Sequence, residues 1–168
     1  EGTQRQFMHA GISFMRISRI FISHYHGDHF LGMPGLIQTM CFNNRKNPLE
    51  IYGPRGTSEI IKNLLRLGYF EPSFKIKTGD LDNKDILEYE DYCVKVKCAE
   101  HNVPTLAYAL EERHKPGRFN IKKAEQLGIP PGPLYRQLQQ GRAITFKGMR
   151  ITSDMVLGKP RKGRKIVY

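Results

Sequence analysis

Between His24 and His29 the sequence HYHGDH places three imidazoles and one carboxylate within six residues, directly behind ISRIFIS, a short run of β-branched and aromatic residues. Neutral imidazoles and carboxylates are good ligands for zinc and related divalent cations. In an extended turn His24 and His26 point to the same side, because side-chain direction alternates with a period of two. One ion can therefore be chelated by both. Asp28 and His29 follow as the chain turns into the next helix and point elsewhere, toward a second ion a few ångströms away. A structural zinc site would more often use thiolates and be closed by four protein ligands, so this pattern favours a catalytic site with an open position. A further ligand should come from another strand end, and CAEHNVPTLAYAL supplies His101 just after the alternating stretch YCVKVKCA. His9 and His114 lie among residues without ligating neighbours and read as ordinary solvated or hydrogen-bonded histidines.

The elements that must position these groups alternate. Ile17 to Ser23 reads as a buried strand, with the histidines at its C-terminal end. Phe30 to Phe42 reads as a helix that must begin near Pro34, since a later proline would remove a backbone hydrogen bond. LEIYGP reads as a second strand. TSEIIKNLLRLGY reads as an amphipathic helix with Thr57 or Ser58 as N-cap and Gly68 as its left-handed stop. Further strands are predicted at Phe74 to Thr78, Ile86 to Tyr89, Tyr92 to Ala99 and Thr105 to Leu110, giving a layered α/β domain.

The chain has 168 residues with 27 Lys and Arg against 16 acidic residues, a formal net charge of +11. That balance favours a polyanionic partner, nucleic acid first. No apolar run approaches the roughly 20 residues needed to cross a bilayer, so no membrane is expected and a cytoplasmic location is the default. Cys41, Cys93 and Cys98 are odd in number and lack a Cys-x-x-Cys spacing, which argues against a disulfide framework or a cysteine zinc site. From Arg113 to Arg142 seven basic residues (113, 115, 118, 122, 123, 136 and 142) face one acid, Glu125. With its Gly and Pro clusters, short helical patterns at Ile121 to Leu127 and Leu134 to Gln140, and few core-sized residues, this stretch reads as a basic protrusion inserted between strands. Strand-like pieces resume at Ala143 to Phe146 and Lys165 to Tyr168.

His-x-His-x-Asp-His behind a strand resembles the metallo-β-lactamase superfamily. EGTQRQ, SHYHGDHFLGMPGL, AEHNVP and IPPGPLYRQLQQG, in that order, resemble the ribonuclease Z family of tRNA 3′-processing endonucleases, over nearly the whole chain. The resemblance implies an α/β metallo-β-lactamase fold (an αββα sandwich), here partial, with an inserted basic arm. Its expected organisation is a core over 1–111, a flexible Gly/Pro-rich tRNA-binding arm over 112–142, and a return to the core over 143–168. It implies two Zn2+ per subunit, one held by His24, His26 and His101, the other by Asp28 and His29, with Asp28 also the base that handles the attacking water. A bridging aspartate and a further histidine are expected beyond Tyr168, since Asp154 in ITSDMV does not match that position; the residues given are then expected to be a fragment with impaired activity. The implied substrate is precursor tRNA, cut after the discriminator nucleotide to leave a 3′-hydroxyl, and the implied assembly is a homodimer. Lys122, Lys123 and Arg136 would contact phosphates, while Gly128, Pro130, Pro131, Gly132 and Pro133 would let backbone approach the RNA. Two alternatives stay open on the residues alone: a hydrolase of the same fold acting on a small ester or lactone, and a non-catalytic RNA-binding relative.

Overall fold

In the computed structural model, which describes residues 2–168, the first strand β1 is Arg19–Phe21 and leads straight into the histidine stretch. A parallel pair needs a crossover, and the sequence supplies a helix each time. Between β1 and β2 (Leu49–Gly53) lie the short helix α2 (Gly27–Phe30) and α3 (Met33–Phe42); between β2 and β3 (Ile76–Asp80) lies α4 (Thr57–Leu65). β1, β2 and β3 form a parallel sheet in that order, with Ile20 opposite Ile51 and Ile51 opposite Thr78. A second sheet has the order β4 (Ile86–Glu88), β5 (Tyr92–Ala99), β6 (Thr105–Glu112) and β9 (Lys165–Val167).

The core beneath the first sheet is built from Ile22, Met33, Leu36, Ile37, Met40, Leu49, Ile51, Ile61, Leu64 and Phe74. Those residues come from two positions of β2, from Ile22 just past β1, from Phe74 just before β3, and from the inward faces of α3 and α4, the pattern a helix-on-sheet layer requires. Arg45, 3% exposed, lies at the edge of this core. Its guanidinium donates to the carbonyls of Asn47 (2.8 Å), Met15 (3.0 Å), Ile17 (2.8 Å) and Pro48 (2.9 Å), and it lies 5.2 Å from the centre of the Phe74 ring. Four carbonyl oxygens replace the water lost by this cation, and in doing so they fasten the approach to β1 to the approach to β2.

Several elements differ from the sequence expectations. The expected helix from Phe30 to Phe42 is two helices: Gly27–Phe30 ends before Met33–Phe42 begins, and Pro34 falls in the first turn of the second, where its missing N–H breaks no hydrogen bond. Neither Thr57 nor Ser58 caps α4. Gly56 is the N-cap, and the orphan N–H groups of Gly56 and Ser58 donate to the two carboxylate oxygens of Asp80 (2.7 and 2.9 Å) at the end of β3. Gly68 has positive φ, but α4 has already ended at Leu65. Helix α1 (Thr3–His9) buries no side chain, so no apolar period announced it.

The described chain divides into two compact units, one made of 2–88, 94–110 and 166–168, the other of 89–93 and 111–165. In the second, α5 (Ile121–Gln126), α6 (Pro133–Gln139) and the antiparallel hairpin of β7 (Ile144–Phe146) and β8 (Met149–Ile151) surround Ala124, Ile129, Leu138, Ile144, Ile151 and Val156. The stretch expected to hold few core residues thus belongs to a unit with its own small core. It does so because 143–156, assigned from sequence to the returning core, folds back to supply Ile144, Ile151 and Val156. The strands leading in and out meet at Lys115 with Arg161 and at Phe119 with Leu157. Between them the backbones of Gly117 and Gly158 approach so closely that a β-carbon at 117 would collide with the Gly158 carbonyl.

Replacing Arg45 by Met removes the donors from the carbonyls of Met15, Ile17, Asn47 and Pro48, and should lower the unfolding free energy by about 1–3 kcal/mol. Urea denaturation of the parent and Arg45→Met chains checks this.

Candidate metal centre

The chain leaves β1 at Phe21, and the next residues are held from both sides. Ile22 N–H donates to the Tyr52 carbonyl (2.8 Å), extending the parallel pairing by one residue. The Ile22 and Ser23 carbonyls accept from the other sheet: Tyr108 Oη donates to Ile22 O (2.6 Å), and Leu106 N donates to Ser23 O (2.9 Å). Burial pushes the Tyr108 and Tyr25 hydroxyls above the usual tyrosine range, so both remain protonated donors.

These ties bring the start of β6, and with it the β5–β6 loop carrying His101, to the histidine stretch. One ring nitrogen from each of His24, His26 and His101 lies within 4.8 Å of the other two. The rings of His24 and His101 have centroids 4.8 Å apart, and those of His26 and His101 5.1 Å. His24 Nε2 and His26 Nδ1 are 3.1 Å apart. Two ligands of a tetrahedral zinc ion with Zn–N bonds of about 2.0–2.1 Å sit about 3.3 Å apart, so this pair is already at chelating distance. The donor set of three imidazoles, with no thiolate, fits a divalent cation such as zinc.

His24 is buried, His26 half-buried and His101 exposed, so the cluster opens to solvent on one side. Ser23 Oγ lies 3.0 Å from His24 Nδ1, which fixes that ring and leaves Nε2 turned toward His26 and His101. Burial first, then the neighbouring imidazoles of His29, His101 and His26, hold the His24 pKa below the usual histidine value; Asp28 acts weakly in the opposite sense. A neutral imidazole is the ligand form.

Asp28 and His29 stand on α2, just beyond His26 and Gly27. Their side chains are 3.4 Å apart (His29 Nε2 to Asp28 Oδ2), and the Asp28 side chain is 79% exposed. The His29 ring centroid lies 4.1 Å from that of His24. All five sequence candidates are therefore gathered at the carboxyl end of β1, with three of them converging on one point. His9 has Arg5 as its hydrogen-bond neighbour (3.4 Å). Sequence reasoning missed the residues that hold the stretch in place, Ser23, Tyr25, Thr57 and Tyr108, because each acts through contacts distant along the chain or through an ordinary hydroxyl.

In the second unit, Glu111 to Lys165 carries fourteen lysines and arginines against four acidic residues, Glu111, Glu112, Glu125 and Asp154. Lys122, Lys123 and Arg136 are exposed on α5 and α6. Gly128, Pro130, Pro131, Gly132 and Pro133 are exposed around the intervening loop, whose Ile129 is buried and whose carbonyl at 129 accepts from Tyr135 Oη (3.2 Å). Asn120 caps α5 by accepting from Lys123 N (3.1 Å). The loop is thus braced against a core.

Removing the His101 imidazole should weaken zinc binding by more than the roughly 100-fold that loss of an outer-shell partner costs, measured as the zinc dissociation constant of His101→Ala against the parent. The metal-free chain should also lose stability as pH falls below about 6.5, the ordinary histidine value. The sign follows from His24: its folded pKa lies below the unfolded one, so the unfolded state takes up the proton more readily and acid favours unfolding. His24→Asn should flatten that slope in urea titrations run at successive pH values.

A family model described as anti-Pycsar protein Apyc1 matches residues 2–110, the stretch that carries all five candidate ligands. Ribonuclease Z of Methanosarcina acetivorans is 50% identical over 168 residues, covering 100% of this chain and 55% of the relative. Ribonuclease Z of Methanosarcina mazei is 47% identical with the same coverage. The chain thus spans about half the length of the curated relatives it matches. Among solved structures, human tRNase Z, short form, superposes with a TM-score of 0.58 at 32% identity, covering 67% of this chain and 51% of that one. The chain therefore belongs to the family described as anti-Pycsar protein Apyc1, shares the fold of human tRNase Z over 67% of its length, and has ribonucleases Z as its homologues.

Proposed function

We propose that this chain serves a metal-dependent endoribonuclease of the ribonuclease Z type, which removes the 3′ trailer from precursor tRNA in the cytoplasm by hydrolysing the phosphodiester after the discriminator nucleotide. The observation that carries this reading is the extent of the match. The family model stops at residue 110, whereas the ribonuclease Z relatives align across all 168 residues, including the basic 111–165 unit. A hydrolase acting on a small ester or lactone has no use for that unit.

His24, His26 and His101 would hold one zinc ion, and Asp28 and His29 a second. Bound ions would supply an electrophile for the phosphodiester and lower the pKa of the attacking water. Asp28, whose carboxylate is exposed at the mouth of the cluster, would orient that water and accept its proton as general base. Ser23 would keep the His24 ring in its ligating orientation through the 3.0 Å contact with Nδ1.

The 111–165 unit would act as the arm that recognises folded RNA by shape and charge. Lys122, Lys123 and Arg136 project from a braced surface and would bind phosphates without reading bases. The Gly128–Pro133 loop would bring backbone N–H and C=O groups to the RNA. The active assembly in this reading is a homodimer in which the arm of one subunit clamps tRNA bound at its partner.

The test uses the intact protein and a 3′-extended precursor tRNA. His26→Ala should abolish cleavage while tRNA affinity stays at the parent value. The triple variant Lys122→Glu, Lys123→Glu, Arg136→Glu leaves the small core of the arm untouched. It should weaken tRNA binding, lower the slope of log affinity against log salt by about 1 for every phosphate no longer neutralised, and leave hydrolysis of a small phosphodiester intact. Unchanged tRNA affinity in that variant contradicts the arm assignment, and cleavage by His26→Ala contradicts the metal-dependent mechanism.

A further inference from the structure

Tyr25 lies between His24 and His26 in the sequence, but its side chain leaves the cluster. Its hydroxyl donates to Thr57 Oγ1 (2.7 Å), and Thr57 Oγ1 donates in turn to the Pro54 carbonyl (2.6 Å). The threonine has one proton to give and gives it to Pro54, so its oxygen is free to accept from the tyrosine. Thr57 is fully buried at 0% exposure. Space for this pair exists because residue 53 is glycine: a β-carbon there would stand 2.6 Å from Thr57 Oγ1, 3.1 Å from Tyr25 Oη and 3.3 Å from Ile22 Cβ.

The mooring point is itself fixed. Thr57 opens α4, and the N–H groups on either side of it, at Gly56 and Ser58, are held by Asp80. Several attractions hold that carboxylate ionised below the usual range, the hydrogen bond from Gly56 most of all. On its other side the Tyr25 ring meets Phe30 edge-on at 5.1 Å. The backbone at residue 25 is therefore anchored on α4, while the residues on each side of it turn their imidazoles the opposite way, toward one another.

We infer that Tyr25 is a positioning residue: its hydroxyl, through Thr57, holds the 24–26 backbone at the spacing that lets His24 and His26 share one ion. This inference rests on the metal-binding reading of the three histidines. A purely structural Tyr25–Thr57 bond would contribute to stability and leave ion affinity alone, which separates the two roles.

The experiment measures the zinc dissociation constant of the 168-residue chain by competition with a chromophoric chelator, alongside its urea midpoint without metal. Tyr25→Phe and Thr57→Val should each weaken zinc binding about 10-fold, the low end for loss of an outer-shell partner. The double variant should be no weaker than either single one, because both remove the same hydrogen bond. Thr57→Ser, which keeps the hydroxyl, should restore the parent affinity. A Tyr25→Phe chain that binds zinc within about twofold of the parent, whatever its urea midpoint, overturns the positioning role, since an outer-shell role costs at least about tenfold. So does a double variant whose losses simply add. Failure of the parent chain to bind zinc removes the metal reading itself and the inference with it, whereas an unaffected Tyr25→Phe beside a zinc-binding parent removes the inference alone.

Discussion

The site depends on two hydrogen bonds that tie the end of β1 to β6: Leu106 N to Ser23 O, and Tyr108 Oη to Ile22 O, the latter joining residues 86 apart. Beyond Phe21 the carbonyls of Ile22 and Ser23 have passed the last ladder position of β1, and buried carbonyls need donors. β6 supplies them. The same two bonds fix where β6 begins, and therefore where the short loop carrying His101 must lie. Three imidazoles from positions 24, 26 and 101 meet as a consequence of satisfying backbone groups that carry no chemistry of their own.

Around that tie the fold is made rigid. Arg45 joins the approaches to β1 and β2 through four carbonyls, so the strand that presents the histidines cannot slide against its neighbour without stranding a buried cation. Asp80 occupies the N-terminal N–H groups of α4, which places Thr57 under Tyr25. The ligating side of the loop stays open: Asp28 and His101 have solvent-accessible side chains. The charge of the basic unit lies on exposed helix faces, and the unit has its own apolar cluster.

Much of the centre was legible in the sequence, for identifiable reasons. His24 and His26 follow a strand directly, so period-two alternation by itself sets their common direction. His101 was legible because a strand with clear alternation, YCVKVKCA, ends just before it. β2, β5 and α4 carry apolar periods strong enough to name them. The roles of Asp80, Thr57 and Gly53 were hidden, because a carboxylate 24 residues from the N–H group it caps, and a glycine whose missing β-carbon makes room for a hydrogen bond, leave no local pattern. α1 was hidden because it buries nothing. The core of the second unit was hidden because its apolar residues are few and spread over 124 to 156, and become a cluster only when the β7–β8 hairpin folds back.

On the proposed reading, three histidines brought together across the two sheets hold one divalent ion without help from a thiolate. X-ray absorption at the zinc edge on the zinc-loaded chain tests this directly. A first shell of nitrogen and oxygen scatterers at about 2.0–2.1 Å, with the outer-shell scattering of about three imidazole rings, is the predicted result. A sulfur scatterer at about 2.3 Å, which would recruit Cys41, Cys93 or Cys98, contradicts it, as does a first shell with fewer than two imidazoles.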